Sequence, residues 1–296
     1  MNQEKFNLNK AKREAKKHEG KSTSFIGELK IDKTEKQEDL LPEELEARFW
    51  SNVYKEKLNE IKNDEDFKRI VIKDLENNIE LGKNGDGYNA SLALQTVLSI
   101  KGLGIYKKEF KEKLNEVKNN EDFKRAVIKD LEWDIKEGKN SNGGYADCAL
   151  HAILSIKDLV IYEKEFQEKL NKVKNDEDFK KEVMKELESD IKLGKKGNAA
   201  NAKWALYIIS SMKDLGIYEK EFQEKLNDIK NDKEFKKAVI KRLEESIELN
   251  AKWALYTISS LKNISEFWQD LAQEKRAKMA RDNKEGGDIP KRPEIR

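Results

Sequence analysis

Residues 162–171 read YEKEFQEKLN, and residues 218–227 repeat the same ten letters. The leucine of this stretch also recurs in two earlier segments, so that Leu58, Leu114, Leu170 and Leu226 are each 56 residues apart. A fixed period of this kind is typical of tandem structural repeats. The sequence therefore predicts four copies of one structural unit.

Each unit is predicted to contain three helices, which we name A, B and C in chain order. In the second copy, the apolar residues of helix A lie four, four and three positions apart, at Tyr106, Phe110, Leu114 and Val117. Those of helix B lie four positions apart, at Phe123, Val127, Leu131 and Ile135. Both spacings place the apolar residues on one face of a helix with 3.6 residues per turn.

Helix C differs from A and B because it is apolar around most of its circumference. In the first copy it includes residues 90–98, which read ASLALQTVL. A helix that is apolar on all sides has to be surrounded by other helices. We therefore expect helix C to lie inside the molecule, packed by its own unit and by the next one.

Asparagine and glycine mark the predicted ends of helix B. We expect helix A to stop, and helix B to take its N-cap, at Asn63, Asn119, Asn175 and Asn231. An asparagine side chain can accept hydrogen bonds from the unpaired N–H groups of a first turn. At the other end, glycine is suited to the left-handed conformation that closes a helix. The predicted closing residues are Gly82, Gly138 and Gly194.

The fourth copy is shorter than the others. Leu187 and Leu243 keep the 56-residue spacing, whereas Trp204 and Trp253 are only 49 residues apart. Seven residues are thus missing between helices B and C, which leaves two alternatives. Either Asn250 makes a tight turn, or both helices fuse over residues 232–262. A last amphipathic helix over residues 263–282 is predicted to cap the end of the array.

These features predict an all-α fold, an α-solenoid of four 56-residue three-helix repeats with a C-terminal capping helix. The repeats are assigned to residues 41–262, at about 42–103, 104–159, 160–215 and 216–262. Residues 1–40 and 283–296 are predicted to be disordered arms. By analogy of fold the array is similar to armadillo and HEAT arrays, whose period of roughly 40–47 residues is shorter. Independent three-helix beads are the alternative, which short connectors such as residues 102–104 disfavour.

The composition suits a helical protein with a large polar surface. Charged residues make up 40% of the chain and apolar residues 37%, and the formal net charge is only +2. This balance does not predict a nucleic-acid partner. No apolar run reaches the roughly 20 residues that span a bilayer, and no signal peptide is recognisable, so we expect a cytoplasmic protein. Glu4, Glu14 and Glu19 disfavour the alternative, a transit peptide.

Candidate catalytic groups are few. Asp147, Cys148 and His151 lie within one turn of helix C, and a thiol beside an imidazole can act as a nucleophile. Cys148, however, takes a position that is apolar in the other copies, which favours a structural role. The glycine-rich segments 82–87 and 140–144 lack the endings of phosphate-binding and calcium-binding loops. We therefore expect no enzyme activity, no cofactor and no metal site.

Positions that differ between otherwise similar copies are the predicted partner-binding residues. Two such positions lie on helix C, where the later copies have lysine and tyrosine and the earlier ones have other polar residues. The candidates at these positions are Lys203, Tyr207, Lys252, Tyr256, Gln95 and His151. Trp133 is a further candidate, because its equivalents are polar and an exposed tryptophan can anchor a contact.

The sequence therefore predicts a non-enzymatic scaffold or adaptor that binds a protein or peptide on a helical-repeat surface. The alternative is binding of RNA or a ribonucleoprotein through basic arms. Met1–Ser22 carries a net charge of +4 by count of its charged residues, and Gln273–Arg296 one of +3. The identity of the partner and the oligomeric state stay open.

Overall fold

The computed structural model describes residues 40–140 and 143–285, and these residues form twelve α-helices without a β-strand. The expected all-α class is confirmed for this part of the chain. The helices are α1 (Pro42–Ile61), α2 (Glu65–Lys83), α3 (Gly87–Leu103), α4 (Lys107–Lys118), α5 (Glu121–Lys139), α6 (Gly143–Leu159), α7 (Glu163–Lys174), α8 (Glu177–Lys195), α9 (Ala199–Leu215), α10 (Glu219–Lys230), α11 (Lys233–Leu249) and α12 (Ala251–Glu285). The arms predicted to be disordered lie outside the described residues, apart from residue 40 and residues 283–285 at the end of α12.

The helix bounds recur at the interval seen in the sequence. Helices α4, α5 and α6 are followed 56 residues later by α7, α8 and α9, which have the same lengths. Helices α2, α5, α8 and α11 correspond to the predicted helix B, and α3, α6 and α9 correspond to helix C. Helix α1 is longer than the other A helices because it begins at Pro42, and proline favours the first turn of a helix.

Each B helix begins with a side-chain cap one residue later than expected. The caps are Asp64, Asn120, Asp176 and Asp232. Each side-chain oxygen accepts a hydrogen bond from the N–H of the phenylalanine three residues on, at 2.8–2.9 Å. The predicted caps at Asn63, Asn119, Asn175 and Asn231 are therefore wrong by one position. In the last three copies the physical reason is that this asparagine is the C-cap of helix A.

The glycines near the ends of the B helices have another role than expected. Gly82, Gly138 and Gly194 lie inside the last helical turn and do not have a positive φ. A Cβ atom on Gly82 or Gly194 would come within 2.8 Å of a phenylalanine ring of the next unit. One on Gly138 would come within 3.0 Å of Ala146. The prediction of left-handed helix ends is wrong here, because glycine serves the close approach of the next helices.

Helix C is surrounded by other helices, as expected. Four equivalent leucines are inaccessible to solvent, namely Leu94, Leu150, Leu206 and Leu255. Each of α3, α6 and α9 packs against its own B helix, against the B helix of the next unit and against the next C helix. We refer to α3, α6, α9 and residues 251–263 of α12 as the inner helices.

The fourth unit differs from the others where its sequence is shorter. Helix α11 ends at Leu249 and α12 begins at Ala251, so that Asn250 alone makes the turn, with φ −154° and ψ 87°. Its side chain accepts a hydrogen bond from the N–H of Trp253 at 3.3 Å. The tight-turn alternative is confirmed, and fusion of helices B and C is wrong.

Helix α12 continues without a break to Glu285. Residues 263–282 therefore form no separate capping helix but extend the fourth inner helix. The reason is that this stretch has a partner along its length, since it packs on α1. Ser265 donates to the carbonyl of Ala47 in α1 at 3.3 Å, and Lys275 lies 2.8 Å from Glu43 of the same helix.

The end of the described chain thus returns to its beginning. Besides α1, helix α12 contacts α2 and α3, the B and C helices of the first unit. Tyr256 donates to the carbonyl of Leu92 at 2.9 Å, which joins the fourth inner helix to the first. The four inner helices consequently form a closed ring.

Candidate binding cavity among the inner helices

One cavity is lined by residues of all four inner helices, and we call it the central cavity. It encloses about 340 Å³, which lies within the range of roughly 300–1,000 Å³ that ligand pockets occupy. Its lining comes from the C-terminal parts of α3, α6 and α9 and from the corresponding part of α12. Residues at equivalent sequence positions of the four inner helices lie at the same depth in the cavity, and we describe each such set as one level.

Lysines show how neighbouring inner helices are aligned. Lys101 donates to the carbonyl of Asp158, and Lys157 donates to the carbonyl of Asp214. Lys213 donates to the carbonyl of Asn263 at 3.2 Å. Equivalent lysines thus reach equivalent carbonyls on the next helix, which requires the inner helices to point the same way. These bonds also satisfy carbonyl groups near helix ends.

Two aspartates and an asparagine lie at the mouth of the cavity. Asp158, Asp214 and Asn263 occupy the position at which the first unit has the exposed Gly102. Burial raises the pKa of Asp158, and it raises the pKa of Asp214 to about 6. Asn263 donates to Asp214 Oδ2 at 2.6 Å and to the Ser210 hydroxyl at 3.0 Å.

A ring of serines forms the next level. Ser99, Ser155, Ser211 and Ser260 are the equivalent residues of the four inner helices, and all four are buried. Ser155 donates to the backbone carbonyl of His151 at 2.9 Å, and Ser211 lies 3.3 Å from His151 Nδ1. Ser99 and Ser260 make no hydrogen bond with the residues that the structure describes. Two hydroxyls of largely buried serines are therefore available to a ligand.

Four of the predicted partner-binding residues form the deepest level. Gln95, His151, Tyr207 and Tyr256 are equivalent residues and all line the central cavity. The tyrosine hydroxyls point into the helix ring, where Tyr207 lies 3.1 Å from Thr257 Oγ1 and Tyr256 lies 2.8 Å from Thr96 Oγ1. The tyrosine rings therefore present an aromatic surface to the cavity, while their polar ends join neighbouring helices.

The neighbourhood of His151 was the one candidate for nucleophilic chemistry. His151 Nε2 and Asp147 Oδ1 lie 3.1 Å apart, at ion-pair distance but without the geometry of a hydrogen bond. Burial raises the pKa of the Cys148 thiol far above its usual value, and nearby carboxylates add to this effect. A thiol in such surroundings stays protonated, whereas the thiolate is the nucleophile.

Lys203, another predicted binding residue, lies in a cage of aromatic rings instead of lining the cavity. Its side chain is buried, and Nζ lies 3.9 Å from the ring centroids of both Trp204 and Trp253. Burial and the positive charge of Arg242 lower the pKa of Lys203 to about 7. Lys203 Nζ is also 5.2 Å from the Tyr207 ring. A partner cannot contact this lysine without rearranging the ring of inner helices.

Lys252 and Trp133 also lie away from the central cavity. Lys252 Nζ is 3.3 Å from Asp74 Oδ2, and this ion pair joins the fourth unit to the first. Trp133 is 53% exposed on the outside of α5, where Lys136 Nζ lies 5.7 Å from its ring. The structure thus brings together four of the seven predicted residues, buries Lys203 and separates Lys252 and Trp133 from them.

Buried acids near the other end of the inner helices form a second polar group. Burial, together with the charges of nearby aspartates, raises the pKa of Asp134 to about 8. Burial likewise raises the pKa of Asp190 to about 7, although Asn201 donates to this carboxylate at 2.5 Å. Neither residue lines the central cavity.

The serines and the mouth aspartates were missed from the sequence. The comparison of the copies singled out positions that vary, whereas serine occupies the same position in every copy. A polar residue that recurs within an apolar helix was the available signal, because a buried hydroxyl needs a partner.

Within residues 40–140 and 143–285, no helix is long and apolar enough to cross a membrane. No family model, no curated protein and no solved structure matches this chain.

Proposed function

We propose that the chain is a non-enzymatic binding protein, and that a protein or peptide partner docks at the mouth of the central cavity. We further infer that its four three-helix units form an α-solenoid that closes on itself. The observation that carries this proposal is the convergence of all four inner helices on one polar cavity. Cavities with a few convergent polar groups are the usual sites of recognition.

Closure of the array decides which surface is concave. An open array such as the armadillo or HEAT type offers its partner a long concave face. Here α12 packs along α1, so that the inner helices face one another across the ring. The concave side of the array is therefore the central cavity, and its accessible part is the mouth.

The outer surface is less suited to recognition, because many of its charges are already paired between neighbouring units. Lys68 lies 3.1 Å from Glu109, and the equivalent pairs in the following units measure 3.1 and 2.9 Å. Ion pairs that remain partly accessible to solvent contribute little free energy.

A substitution at the mouth tests this placement. Gly102 is exposed and helical, and a Cβ atom there would meet only the Ser259 hydroxyl, at 3.4 Å. Gly102→Tyr should therefore fold normally and obstruct the mouth. Trp133→Ala, on the outside of α5, is the matched control. Quantitative cross-linking and mass spectrometry of the full-length chain in its own cells should show partner cross-links from Lys262, at the mouth.

We expect Gly102→Tyr to lose these cross-links and Trp133→Ala to keep them. Retention of the partner by Gly102→Tyr would contradict docking at the mouth. Loss in Trp133→Ala alone would place the binding surface on the outside of α5.

RNA binding through the basic arms is the second candidate from the sequence. Residues 1–39 and 286–296, which hold most of the arms, lie outside the described residues. In the described part of the C-terminal arm, Lys275 and Arg276 already pair with Glu43 and Glu44 of α1. RNA binding would fall steeply between low and physiological salt, whereas docking at the cavity would fall much less because it involves few charges.

A further inference from the structure

We infer that the central cavity accepts an organic cation, an ammonium or guanidinium group that enters through the mouth beside Asp158 and Asp214. This inference rests on the proposed function, because it specifies which group of the partner enters the cavity. Its basis is the distribution of hydrogen-bond donors and acceptors, of charge and of aromatic surface in the lining.

Several hydrogen-bond acceptors of the lining have no partner among the described residues. Asp158 makes no side-chain hydrogen bond with the described residues, and Asp214 is bonded through Oδ2 to the Asn263 amide. Ser99 and Ser260 are only 5% and 7% exposed, and their hydroxyls also lack a partner among the described residues. An ammonium group brings three donors and a guanidinium group five, without any acceptor. Such a ligand satisfies the unpaired oxygens of this site.

The lysines around the mouth do not neutralise the aspartates by direct contact. Lys157 donates to a backbone carbonyl of the next helix, and Lys262 Nζ lies 3.0 Å from Glu266. Burial is the largest effect and raises the pKa of both carboxylates, and neither carboxylate is in direct contact with a cation of the described residues. The charges of Lys157 and Lys101 lower the pKa of Asp158, and those of Lys213 and Lys157 lower the pKa of Asp214, but among the described residues no lysine forms an ion pair with either carboxylate.

The helices themselves favour positive charge at this end of the ring. Helices α3, α6 and α9 end at Leu103, Leu159 and Leu215, next to the mouth. The C-terminal end of a helix carries a partial negative charge, equivalent to about half an elementary charge. Three such ends surround the opening.

Tyr207 and Tyr256 add an aromatic surface at the deepest level, with ring centroids 6.4 Å apart. The face of an aromatic ring attracts cations, and more strongly when both are removed from water. A linear side chain that carries its charge at the tip suits a cavity with carboxylates at the mouth and rings at the bottom. Lysine and arginine side chains of a partner have this form, and so do free alkylamines.

Capped tripeptides and a free amine separate these possibilities. We would titrate the full-length chain with acetyl-Gly-Lys-Gly-amide, its arginine, glutamine and glutamate counterparts, and n-butylammonium chloride. Amide chemical shifts of Gly102 and of the ring serines report entry into the cavity. We expect the lysine or arginine peptide to shift these signals and the glutamate peptide to leave them unchanged.

Asp158→Asn and Asp214→Asn remove charge without changing shape, and Asp270→Asn on the exposed part of α12 is their control. We expect each cavity variant to weaken binding of the cationic peptide at least tenfold and the control to leave it unchanged. Tighter binding of the peptide than of butylammonium would identify a side chain as the natural ligand, and the reverse order a small amine.

Equal binding of the glutamate peptide, unchanged affinity in both cavity variants, or no binding of any cation at millimolar concentration would each overturn the inference. The proposed function fails separately. If Gly102→Tyr abolishes partner cross-links but no cation binds, docking at the mouth stands and the cationic ligand is wrong. If cations bind but Gly102→Tyr keeps the partner, the cationic ligand stands and docking of the partner at the mouth is wrong.

Discussion

Val160, which follows α6, adopts a backbone conformation that its side chain disfavours. Its φ is 55°, and the equivalent positions of the neighbouring units hold Gly104 and Gly216 with φ of 68° and 63°. A left-handed conformation costs a residue with a Cβ atom roughly 1–2 kcal/mol, whereas glycine adopts it freely. Val160 is also 65% exposed, so that its side chain contributes little packing.

Val160→Gly should therefore increase the free energy of unfolding by about 1 kcal/mol, even though glycine makes the unfolded chain more flexible. Urea unfolding of the full-length chain measures this difference. The reciprocal change Gly104→Val should destabilise the protein by a similar amount. Lower stability of Val160→Gly would show that the valine side chain contributes more by packing than it loses by strain.

Two buried charges give opposite dependences of stability on pH. The folded-state pKa of Lys203 is lowered to about 7, so between pH 7 and about 10 the unfolded chain binds more protons and stability rises with pH. The folded-state pKa of Asp134 is raised to about 8, so between pH 4 and 8 the folded chain binds more protons and stability falls as pH rises.

Lys203→Met should thus stabilise the protein more at pH 6 than at pH 9, by on the order of 2 kcal/mol. Asp134→Asn places the residue that the first unit has at Asn78, and its stabilising effect should be greater at pH 8 than at pH 5. Urea unfolding at these pH values provides both measurements. If the stabilising effects of the two variants change with pH in the same direction, burial does not shift the pKa of at least one of these two groups as stated.

At the scale of helices, contacts between units override local conformational preference. Alanine forms helices better than glycine by about 1 kcal/mol, yet the first three B helices keep glycine in their last turn. A Cβ atom on Gly194 would lie 2.8 Å from the Phe235 ring and 3.0 Å from the Ala202 backbone. The helices of successive units could not approach as closely with any other residue.

Gly194→Ala should therefore destabilise the protein by about 1–3 kcal/mol, the usual effect of overpacking. Gly102→Ala is the matched control, because this helical glycine has only the Ser259 hydroxyl nearby, at 3.4 Å. It should be neutral or stabilise the protein by up to about 1 kcal/mol. Thermal or urea unfolding measures the change in stability of both variants. If Gly194→Ala stabilised the protein, α8 would be able to move away from the next unit.

Helix type and order could be predicted from the sequence because each depends on a local apolar period. The N-caps were displaced by one residue because Asn119 and Asn120 are both suitable caps, and only the end of helix A decides between them. The tight turn at Asn250 was one of two alternatives. Local pattern cannot choose between them, because a seven-residue deletion preserves the phase of the helix.

At the scale of the whole molecule, the contact between α12 and α1 closes the ring of inner helices, and no local feature of the sequence predicts this contact. The path of a solenoid depends on a small rotation between units that accumulates along the array. Residues 263–282 look like a cap because they are amphipathic, and an amphipathic helix suits an open end as well as a partner helix. For the same reason the central cavity could not be predicted, although four of its residues were singled out.

Trp268→Ala tests how far closure supports the fold. Trp268 is 1% exposed in the part of α12 that packs on α1. Its removal should lower the free energy of unfolding by about 3–5 kcal/mol. Trp133→Ala, at an exposed position, should change it by no more than about 0.5 kcal/mol.

Amide hydrogen exchange then shows whether the loss is local. In a closed ring, Trp268→Ala should increase exchange in α1 and in the inner helices together with α12. Increased exchange confined to residues 263–285 would mean that this segment frays by itself and that the ring does not depend on it.

Closure also limits how this chain can change in length. Tandem duplication can add a unit to an open array, since the new copy needs only a neighbour on each side. In this molecule the fourth inner helix must also meet the first, as Tyr256 does at the carbonyl of Leu92. If the proposed four-unit array is correct, we expect a fifth unit, or the loss of one, to separate α12 from α1 and to disrupt the cavity. The identical stretches at 162–171 and 218–227 indicate duplication, and under the proposed closed array we expect a further round of duplication to open the ring.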